Sequence, residues 1–362
     1  MKKLVFSVFL LSLLTGCSIF KPVPGKTKIT FLDDYIIPKD LKVDSTLVGG
    51  LSGIEYANGQ YYFICDQPST PRFYEADIKI SDKKIDTVIV KKAVKLKRSS
   101  SFLKDHTLDL EAIRLTSDKN FIISSEGAIK DQQDPSIFTV TPDGTFINSF
   151  SLPSYFMASG KQHPRNNGVF EGLAQNIDHT GYWASMELPL TQDGPKAKLF
   201  PTKSPVRITD FDSRSHQATA QFVMELSRIK KIPWEYFAVN GVTDLLQYGP
   251  HQFLVLERAY SSGHGSNGNT IRIYKVNTQY ATNTLDIEEL KNSAYVPAEK
   301  TLIFDFKSIQ KKLKENIIDN IEGMTFGPDL PNGHKTLLLI SDNNFNTMAP
   351  QVTQVLLMEV EL

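Results

Sequence analysis

The chain of 362 residues carries 40 basic and 40 acidic side chains, two cysteines and 41% hydrophobic residues. This even charge balance gives no indication of nucleic acid binding or of attraction to an anionic membrane surface. The length is ample for a buried core, so we expect a monomeric globular domain that does not bind nucleic acid.

The N-terminal segment has the pattern of an export signal. Two lysines precede an apolar run from Leu4 to Leu14, which is too short to span a bilayer as a mature helix. The residues Leu14-Thr15-Gly16-Cys17 resemble the lipobox of bacterial lipoproteins. That resemblance implies removal of a signal peptide at 1–16, a diacylglycerol on Cys17 and a tether at 17–27. We therefore expect a location in the bacterial cell envelope, anchored to the outer membrane or to the periplasmic face of a membrane.

The second cysteine, Cys65, lies in the strand-like stretch YYFICD. A lipidated Cys17 leaves it without a disulfide partner. The apolar neighbours predict a buried small hydrophobic residue rather than a nucleophile.

Five segments of the chain can be aligned on a small residue followed by an apolar one. Each begins with Ser, Glu or Asn and ends with Asp or Glu; they are residues 52–66, 111–126, 171–187, 240–257 and 322–342. The midpoint of each segment falls in a turn-forming sequence such as the one around Gly59, and the flanks are rich in Ile, Val, Phe and Tyr. Each segment is therefore predicted to be a hairpin whose first and last residues face each other.

Two further strands follow most of these hairpins, which predicts an all-β fold built from four-stranded antiparallel blades. The last hairpin is followed by only one strand, and KITFLDDYIIP at 28–38 supplies the missing one by ring closure. We predict a single β-propeller domain over 28–362 with five blades. The alternatives are a β-sandwich, or a sixth blade within 188–239 or 278–320. Residues 308–320 have apolar side chains at helical spacing and predict a short helix.

The polar ends of the hairpins are expected to form a ring at one mouth of the central channel. Eight carboxylates would lie there: Asp66, Glu111, Glu126, Glu171, Glu187, Glu257, Glu322 and Asp342. Such a cluster needs shared protons, basic partners or a bound cation. Oxygen donors without paired Cys or His favour Ca²⁺, with Mg²⁺ or Mn²⁺ as the alternatives. Hydrogen bonds from strand ends, or pairing with Arg114 and Arg258, would be a purely structural role for single acids.

Long connections leave the same end of the predicted hairpins and carry basic residues. The candidate substrate-binding side chains are Arg72, His163, Arg165, Arg258 and His264. A basic rim around a carboxylate and metal centre suits a small anionic ester, such as a phosphate ester.

These segments also resemble a known family. DLEAIRL with FIISSEG, FEGLAQ with YWASMEL, GVTDLL with FLVLERAY and NIEGMTF with LLLISDNNF are similar to the phytase-like esterase family, described as "esterase-like activity of phytase". The resemblance implies an exported propeller of the hydrolase type. The dense aspartate clusters with which alkaline propeller phytases bind calcium are not matched, so no individual residue role is transferred.

Two functions fit the sequence. One is metal-dependent hydrolysis of phosphate or carboxylate esters, with Glu126, Glu187 and Glu257 as the catalytic candidates. The other is a non-catalytic propeller that binds a ligand or partner and holds a structural calcium ion.

Overall fold

The first described strand lies far from its partners in the sequence. The computed structural model describes residues 27–346 and 350–362, so the predicted signal peptide at 1–16, Cys17 and all of the tether except Thr27 lie outside the described residues. Strand β1 (Lys28–Ile37) is followed by a small hairpin of β2 (Lys42–Val43) and β3 (Thr46–Leu47). Within the described ranges, no helix has the length and apolar character that crossing a bilayer requires.

Four blades are each built from four consecutive antiparallel strands. Blade one contains β4 (Leu51–Ala57), β5 (Gln60–Cys65), β6 (Arg72–Ser81) and β7 (Lys84–Lys95). Blade two contains β8 (Leu110–Leu115), β9 (Phe121–Ser125), β10 (Ser136–Val140) and β11 (Phe146–Ser149). Blade three contains β12 (Phe170–Gln175), β13 (Gly181–Met186), β14 (Pro205–Asp212) and β15 (Ala218–Glu225). Blade four contains β16 (Ala238–Gly249), β17 (Gln252–Ser261), β18 (Asn269–Asn277) and β19 (Glu299–Asp305).

Blade five closes the ring with strands from both ends of the described chain. It consists of β20 (Asn320–Asp329), β21 (Lys335–Asp342), β22 (Thr353–Glu361) and β1. β1 runs antiparallel to β22, with Lys28 opposite Glu361 and Ile37 opposite Thr353. The all-β propeller of five blades, closed by the N-terminal strand, is thus confirmed, and the described residues contain no sixth blade.

In the described residues, helical structure is confined to short pieces in the connections. The one α-helix of the described chain is α1 (Ser101–Asp105), where the Ser100 hydroxyl accepts a hydrogen bond from the Leu103 amide. The 3-10 turns are Ile129–Asp131, Ser154–Phe156, Gly265–Asn267, Phe306–Ser308 and Gln310–Lys312. The prediction of a helix at 308–320 was wrong, because the structure has only the 3-10 turns Phe306–Ser308 and Gln310–Lys312 in this region. Phe306, Ile309 and Leu313 instead pack into the core between blades four and five.

The hydrophobic core is divided into five clusters, one between each pair of neighbouring blades. Alternate residues of a strand point to opposite faces of a blade, so one strand serves two clusters. On β21, Leu337 and Leu339 pack towards blade four, while Leu338 and Ile340 pack towards blade one. Cys65 is fully buried in the cluster between blades five and one, as its sequence context predicted.

The glycine near the start of three aligned hairpins, at positions 53, 172 and 323, has a packing reason. It lies where the innermost strands of the propeller approach each other most closely. A Cβ on Gly323 would lie 2.7 Å from the Gly53 Cα atom and 2.9 Å from the Ile54 amide nitrogen. The spacing between the innermost strands of blades five and one therefore depends on glycine at position 323.

Gly323→Ala is expected to destabilise the protein by about 1–3 kcal/mol, because backbone atoms must move to admit the methyl group. The matched control is Gly249→Ala, where the nearest atom to the added Cβ is the Gln252 Cβ at 3.8 Å. The control should change the free energy of unfolding by less than about 0.5 kcal/mol. Chemical denaturation of both variants measures the difference, and equal effects would contradict the close-packing explanation.

Candidate functional site

A β-bulge interrupts the innermost hairpin of every blade near the acidic residues. The pairing register shifts between Leu51 and Gly53 in blade one and between Leu110 and Ile113 in blade two. Blades three, four and five have shifts between Phe170 and Leu173, Val242 and Asp244, and Ile321 and Gly323. The extra residues change which side chains lie opposite each other at the mouth of the channel.

The expectation that the first and last residues of each hairpin face each other was wrong in all five blades. The residues that lie opposite each other are Asp66 and Gly50, Glu126 and Asp109, Glu187 and Val169, Glu257 and Val242, and Asp342 and Asn320. Glu126 does not face Glu111 across the hairpin, because its amide donates to the Asp109 carbonyl at 2.9 Å. The two glutamates are nevertheless neighbours, and Asp109 joins them. Carboxylate oxygens of Asp109, Glu111 and Glu126 all lie within 4.8 Å of one another.

A second set of carboxylates shares Glu126 with the first. Oxygens of Glu126, Glu171 and Glu187 also lie within 4.8 Å of one another. We refer to Asp109, Glu111, Glu126, Glu171 and Glu187 as the central acid group. It brings together residues from blades two and three.

Burial makes the charged forms of these carboxyl groups costly. Glu126, Glu171 and Glu187 are 5%, 7% and 4% exposed. Burial, followed by the charge of Glu187, raises the pKa of Glu126 to about 8 despite a 2.5 Å hydrogen bond from the Val169 amide. Burial and the neighbouring acids hold the pKa of Glu171 and of Glu111 well above their usual range. The group therefore favours either bound protons or a bound cation.

Among the residues that the structure describes, one basic side chain forms an ion pair with the central acid group. Arg258 Nη2 lies 3.2 Å from Glu187 Oε1 and 3.2 Å from Glu322 Oε1. Burial alone would lower the pKa of Arg258, but the carboxylates of Glu322 and Glu187 raise it above its usual value. One guanidinium group thus partly compensates the acids on one side of the mouth.

A second arginine crosses the channel between the innermost strands. Arg114 donates to both carboxylate oxygens of Asp244 at 3.0 Å and to the Ile54 carbonyl at 3.0 Å. Arg114 and Asp244 are 3% and 1% exposed. Asp244 also accepts a hydrogen bond of 2.7 Å from the Met324 amide. This buried ion pair joins blades one, two, four and five.

Comparison with known proteins identifies the family. The family model described as "Phytase-like: Esterase-like activity of phytase" matches residues 46–345. The chain belongs to this phytase-like family. A search of curated proteins found no match to this phytase-like propeller.

Solved structures similar to the phytase-like propeller share little sequence with it. An endo-arabinase from Bacteroides thetaiotaomicron VPI-5482 is 9% identical, with a TM-score of 0.48, 91% of this chain covered and 98% of that chain. An exo-β-1,3-galactanase from Clostridium thermocellum is 9% identical, with a TM-score of 0.49 and coverage of 91% and 63%. An exo-1,5-α-L-arabinanase from a bovine ruminal metagenomic library is 9% identical, with a TM-score of 0.44 and coverage of 88% and 95%.

One cavity of the phytase-like propeller adjoins the central acid group, and a second adjoins Arg258. One has a volume of about 270 Å³ and is lined by Asp109 and Glu126 together with Lys130, Asn166 and Asn167. The other, of about 380 Å³, is lined by Arg258 together with Tyr260, Ser266, Asn269, Asn320 and Asn344. The central acid group is therefore within reach of small molecules.

The remaining predicted ring acids are held by other partners. Glu257 lies in a separate ion pair, 2.5 Å from Lys300 Nζ, and accepts a bond of 3.1 Å from Asn240 Nδ2. Asn320 Nδ2 donates to Glu322 Oε1 at 2.9 Å and to Asp342 Oδ2 at 3.3 Å.

Asp66 lies next to the buried Arg72. Burial raises the pKa of Asp66 to about 6, although the positive charge of Arg72 opposes that shift. Arg72 is 1% exposed and donates to the Tyr74 hydroxyl at 2.6 Å and the Leu47 carbonyl at 3.0 Å. Its hydrogen-bond partners are thus groups of its own blade and of the preceding hairpin.

The other predicted substrate-binding residues are spread over the loops. Arg165 donates to the Pro189 carbonyl at 3.0 Å and the Gly194 carbonyl at 2.9 Å. His264 lies 2.8 Å from the Ile232 carbonyl, and His163 is exposed. Of the five predicted side chains, Arg258 is the one that the structure joins to the central acid group, and it lies on β17 rather than in a loop.

Sequence reasoning missed Asp109, Lys300 and Asn320 as members of the site. Asp109 could have been found, because residues two apart in an extended segment share a face and it precedes Glu111 by two. Lys300 lies on β19, two strands away from Glu257 in the sheet, and no local sequence pattern indicates that its ammonium group contacts Glu257.

The raised pKa values predict that the stability of the cation-free protein depends on pH. Between pH 5 and pH 8 folded Glu126 retains a proton that the unfolded chain loses, so stability should fall as pH rises, by on the order of a few kcal/mol. Thermal unfolding in chelator at both pH values measures this slope. Added Ca²⁺ should oppose it, because a cation binds the ionised carboxylates. A midpoint that is unchanged from pH 5 to pH 8 in chelator would contradict the prediction.

Proposed function

We propose that this phytase-like propeller is a cation-dependent hydrolase of phosphate or carboxylate esters. The observation that carries the proposal is the pair of carboxylate triads that share Glu126, each with its oxygens within 4.8 Å. Ca²⁺ is the preferred ion, because it accepts six to eight oxygen ligands at flexible geometry, and Mg²⁺ or Mn²⁺ is the alternative.

The donor set suits a hard divalent cation. The central acid group contains only carboxylates, and burial together with the neighbouring acids raises the pKa of Glu111, Glu126 and Glu171, so a bound cation would offset the cost of their ionisation. When bound, such a cation would polarise an ester oxygen and lower the pKa of a bound water.

Different residues of the protein would bind the cation, activate the water and bind the substrate. Glu126 and Glu171 would supply cation ligands, and Glu187 would accept the proton of the attacking water, its orientation fixed by Arg258. Arg258 would in turn offer positive charge to an anionic substrate that enters by the cavity it lines. Glu257, the third predicted catalytic carboxylate, would keep Lys300 in place at the edge of the same mouth.

Metal analysis and turnover test the proposal together. Purified protein should contain a divalent cation or gain thermal stability with Ca²⁺, and it should hydrolyse p-nitrophenyl phosphate or p-nitrophenyl acetate in a chelator-sensitive manner. A bound cation without turnover of either ester would favour the non-catalytic alternative. If the protein contains no bound cation and also shows no Ca²⁺-dependent shift in thermal stability, the proposed centre is overturned.

A further inference from the structure

A positively charged cleft lies at the outer edge of blade four. Its cavity has a volume of about 530 Å³ and is lined by the basic side chains of Lys230, Lys231, Arg272 and Lys307. We call these four residues the cation cleft. In the strand register Arg272 on β18 lies opposite Glu257 on β17. The cleft is therefore at the same end of the blade as the acidic mouth.

The cleft carries an excess of positive charge. Among the described residues that line it, Asp305 is the single carboxylate against four basic side chains. Its two oxygens are already engaged, one by Arg272 Nε at 2.9 Å and the other by the Lys307 amide at 3.1 Å. Like charges held around one cavity repel each other, and a bound anion would relieve that repulsion.

The basic residues come from three separate parts of the chain. Lys230 and Lys231 lie between β15 and β16, Arg272 lies on β18, and Lys307 lies in the 3-10 turn after β19. Lys231 is held in place because its ammonium group donates to the Asn267 and Asn269 carbonyls. Burial, and then the charge of Lys307, lowers the pKa of Lys231. The fold therefore brings cations together that no local run of sequence requires.

We propose that the cation cleft is a binding site for an oxyanion of the phosphate class. Ammonium and guanidinium groups together form charge-assisted hydrogen bonds to such an anion. The anion belongs either to a small phosphorylated molecule or to a phospholipid headgroup. This site is separate from the central acid group and does not depend on the proposed hydrolase activity.

The residues next to the cleft give the lipid source a physical basis. Ile232, Trp234, Tyr236 and Phe237 follow Lys231 and are 67%, 73%, 100% and 53% exposed. Exposed aromatic side chains beside lysines are typical of surfaces that contact the headgroup layer of a bilayer.

Binding of inorganic phosphate tests the site itself. The full chain, with chelator present so that the central acid group holds no cation, is titrated calorimetrically with phosphate and with chloride at equal ionic strength. Phosphate should bind and chloride should not. Lys230→Gln combined with Lys307→Gln should weaken phosphate binding at least about tenfold.

The matched control is Lys311→Gln combined with Lys312→Gln. It removes two exposed lysines from the same region that do not line the cavity. This control should retain the affinity of the unmodified protein for phosphate. No phosphate binding, or equal losses in both double variants, would overturn the proposal. Because chelator removes the cation, this result is independent of the outcome for the hydrolase.

Vesicles distinguish the two sources. The chain from Ser18 onward, which lacks both the predicted signal peptide and the cysteine predicted to be lipidated, is sedimented with vesicles of phosphatidylcholine, with and without phosphatidylglycerol. Binding only to the anionic vesicles, lost in Trp234→Ser and in the Lys230 and Lys307 double variant, assigns the site to a headgroup. Phosphate binding without vesicle binding assigns it to a small phosphorylated molecule. Vesicle binding that persists in the double variant would contradict a role for the cleft.

Discussion

Glu126→Gln is expected to weaken cation binding and ester hydrolysis strongly while making the cation-free protein more stable. Glu126 belongs to both carboxylate triads, so replacing it removes a negatively charged ligand from each of them. The pKa of Glu126 is raised to about 8, so above that pH the folded protein holds a buried charge at a cost. Glutamine has nearly the same shape, can still accept the bond from the Val169 amide and carries no charge.

The effects should be large and opposite in sign. Ca²⁺ affinity should fall at least about tenfold and turnover at least about a hundredfold, whereas the unfolding midpoint in chelator at pH 8.5 should rise. The matched control is Glu299→Gln, an exposed glutamate on β19, which should change none of the three quantities. A Glu126→Gln protein that keeps its Ca²⁺-dependent stabilisation would show that the central acid group is not the cation site.

Arg114→Met is expected to destabilise the protein by about 3–5 kcal/mol. The substitution leaves Asp244 buried and unpaired, and removing one partner of a buried ion pair has a cost of this order. It also removes donors from the Ile54 carbonyl and weakens the connection between innermost strands of several blades. Chemical denaturation gives the free energy of unfolding, with exposed Arg214→Met as the control.

The pH dependence and a double variant separate charge from packing. Burial raises the pKa of Asp244 even with Arg114 present, so without Arg114 the group should take up a proton more readily. The loss of stability should therefore be smaller at pH 5 than at pH 8. Adding Asp244→Asn to Arg114→Met should recover part of the lost free energy. An equal loss at both pH values, with no recovery, would indicate that side-chain packing rather than the ion pair stabilises the channel.

The repeat made the fold predictable from sequence. Five hairpins with turn residues at their centres, and an N-terminal strand that fitted an incomplete blade, determined both the architecture and the ring closure. The same alignment brought Glu111, Glu126, Glu171 and Glu187 to one mouth, where their oxygens meet. The structure confirmed the five-bladed architecture, and every blade repeats the same strand order.

The pairing of the hairpin ends and the conformation of residues 308–320 depend on tertiary contacts that cannot be read from local sequence patterns. The position of a bulge does not follow from the aligned repeat, so the pairing of Glu126 with Asp109 could not be predicted from the sequence. Residues 308–320 had helical spacing, but burial of Ile309 and Leu313 against blade five favoured two 3-10 turns. Isolated short helices are marginal in water, so such packing decides the outcome.

The closure of blade five also constrains the order of events during synthesis. β1 is the first described strand to be made, yet its partner β22 is the last. Blades one to four can form as their own segments emerge, while blade five must wait for both β1 and β22. Until then β1 and β21 each expose an unpaired edge, and joining ends so distant in sequence is entropically slow. A nascent chain of this propeller therefore remains vulnerable to edge pairing with other chains until its final strand is complete.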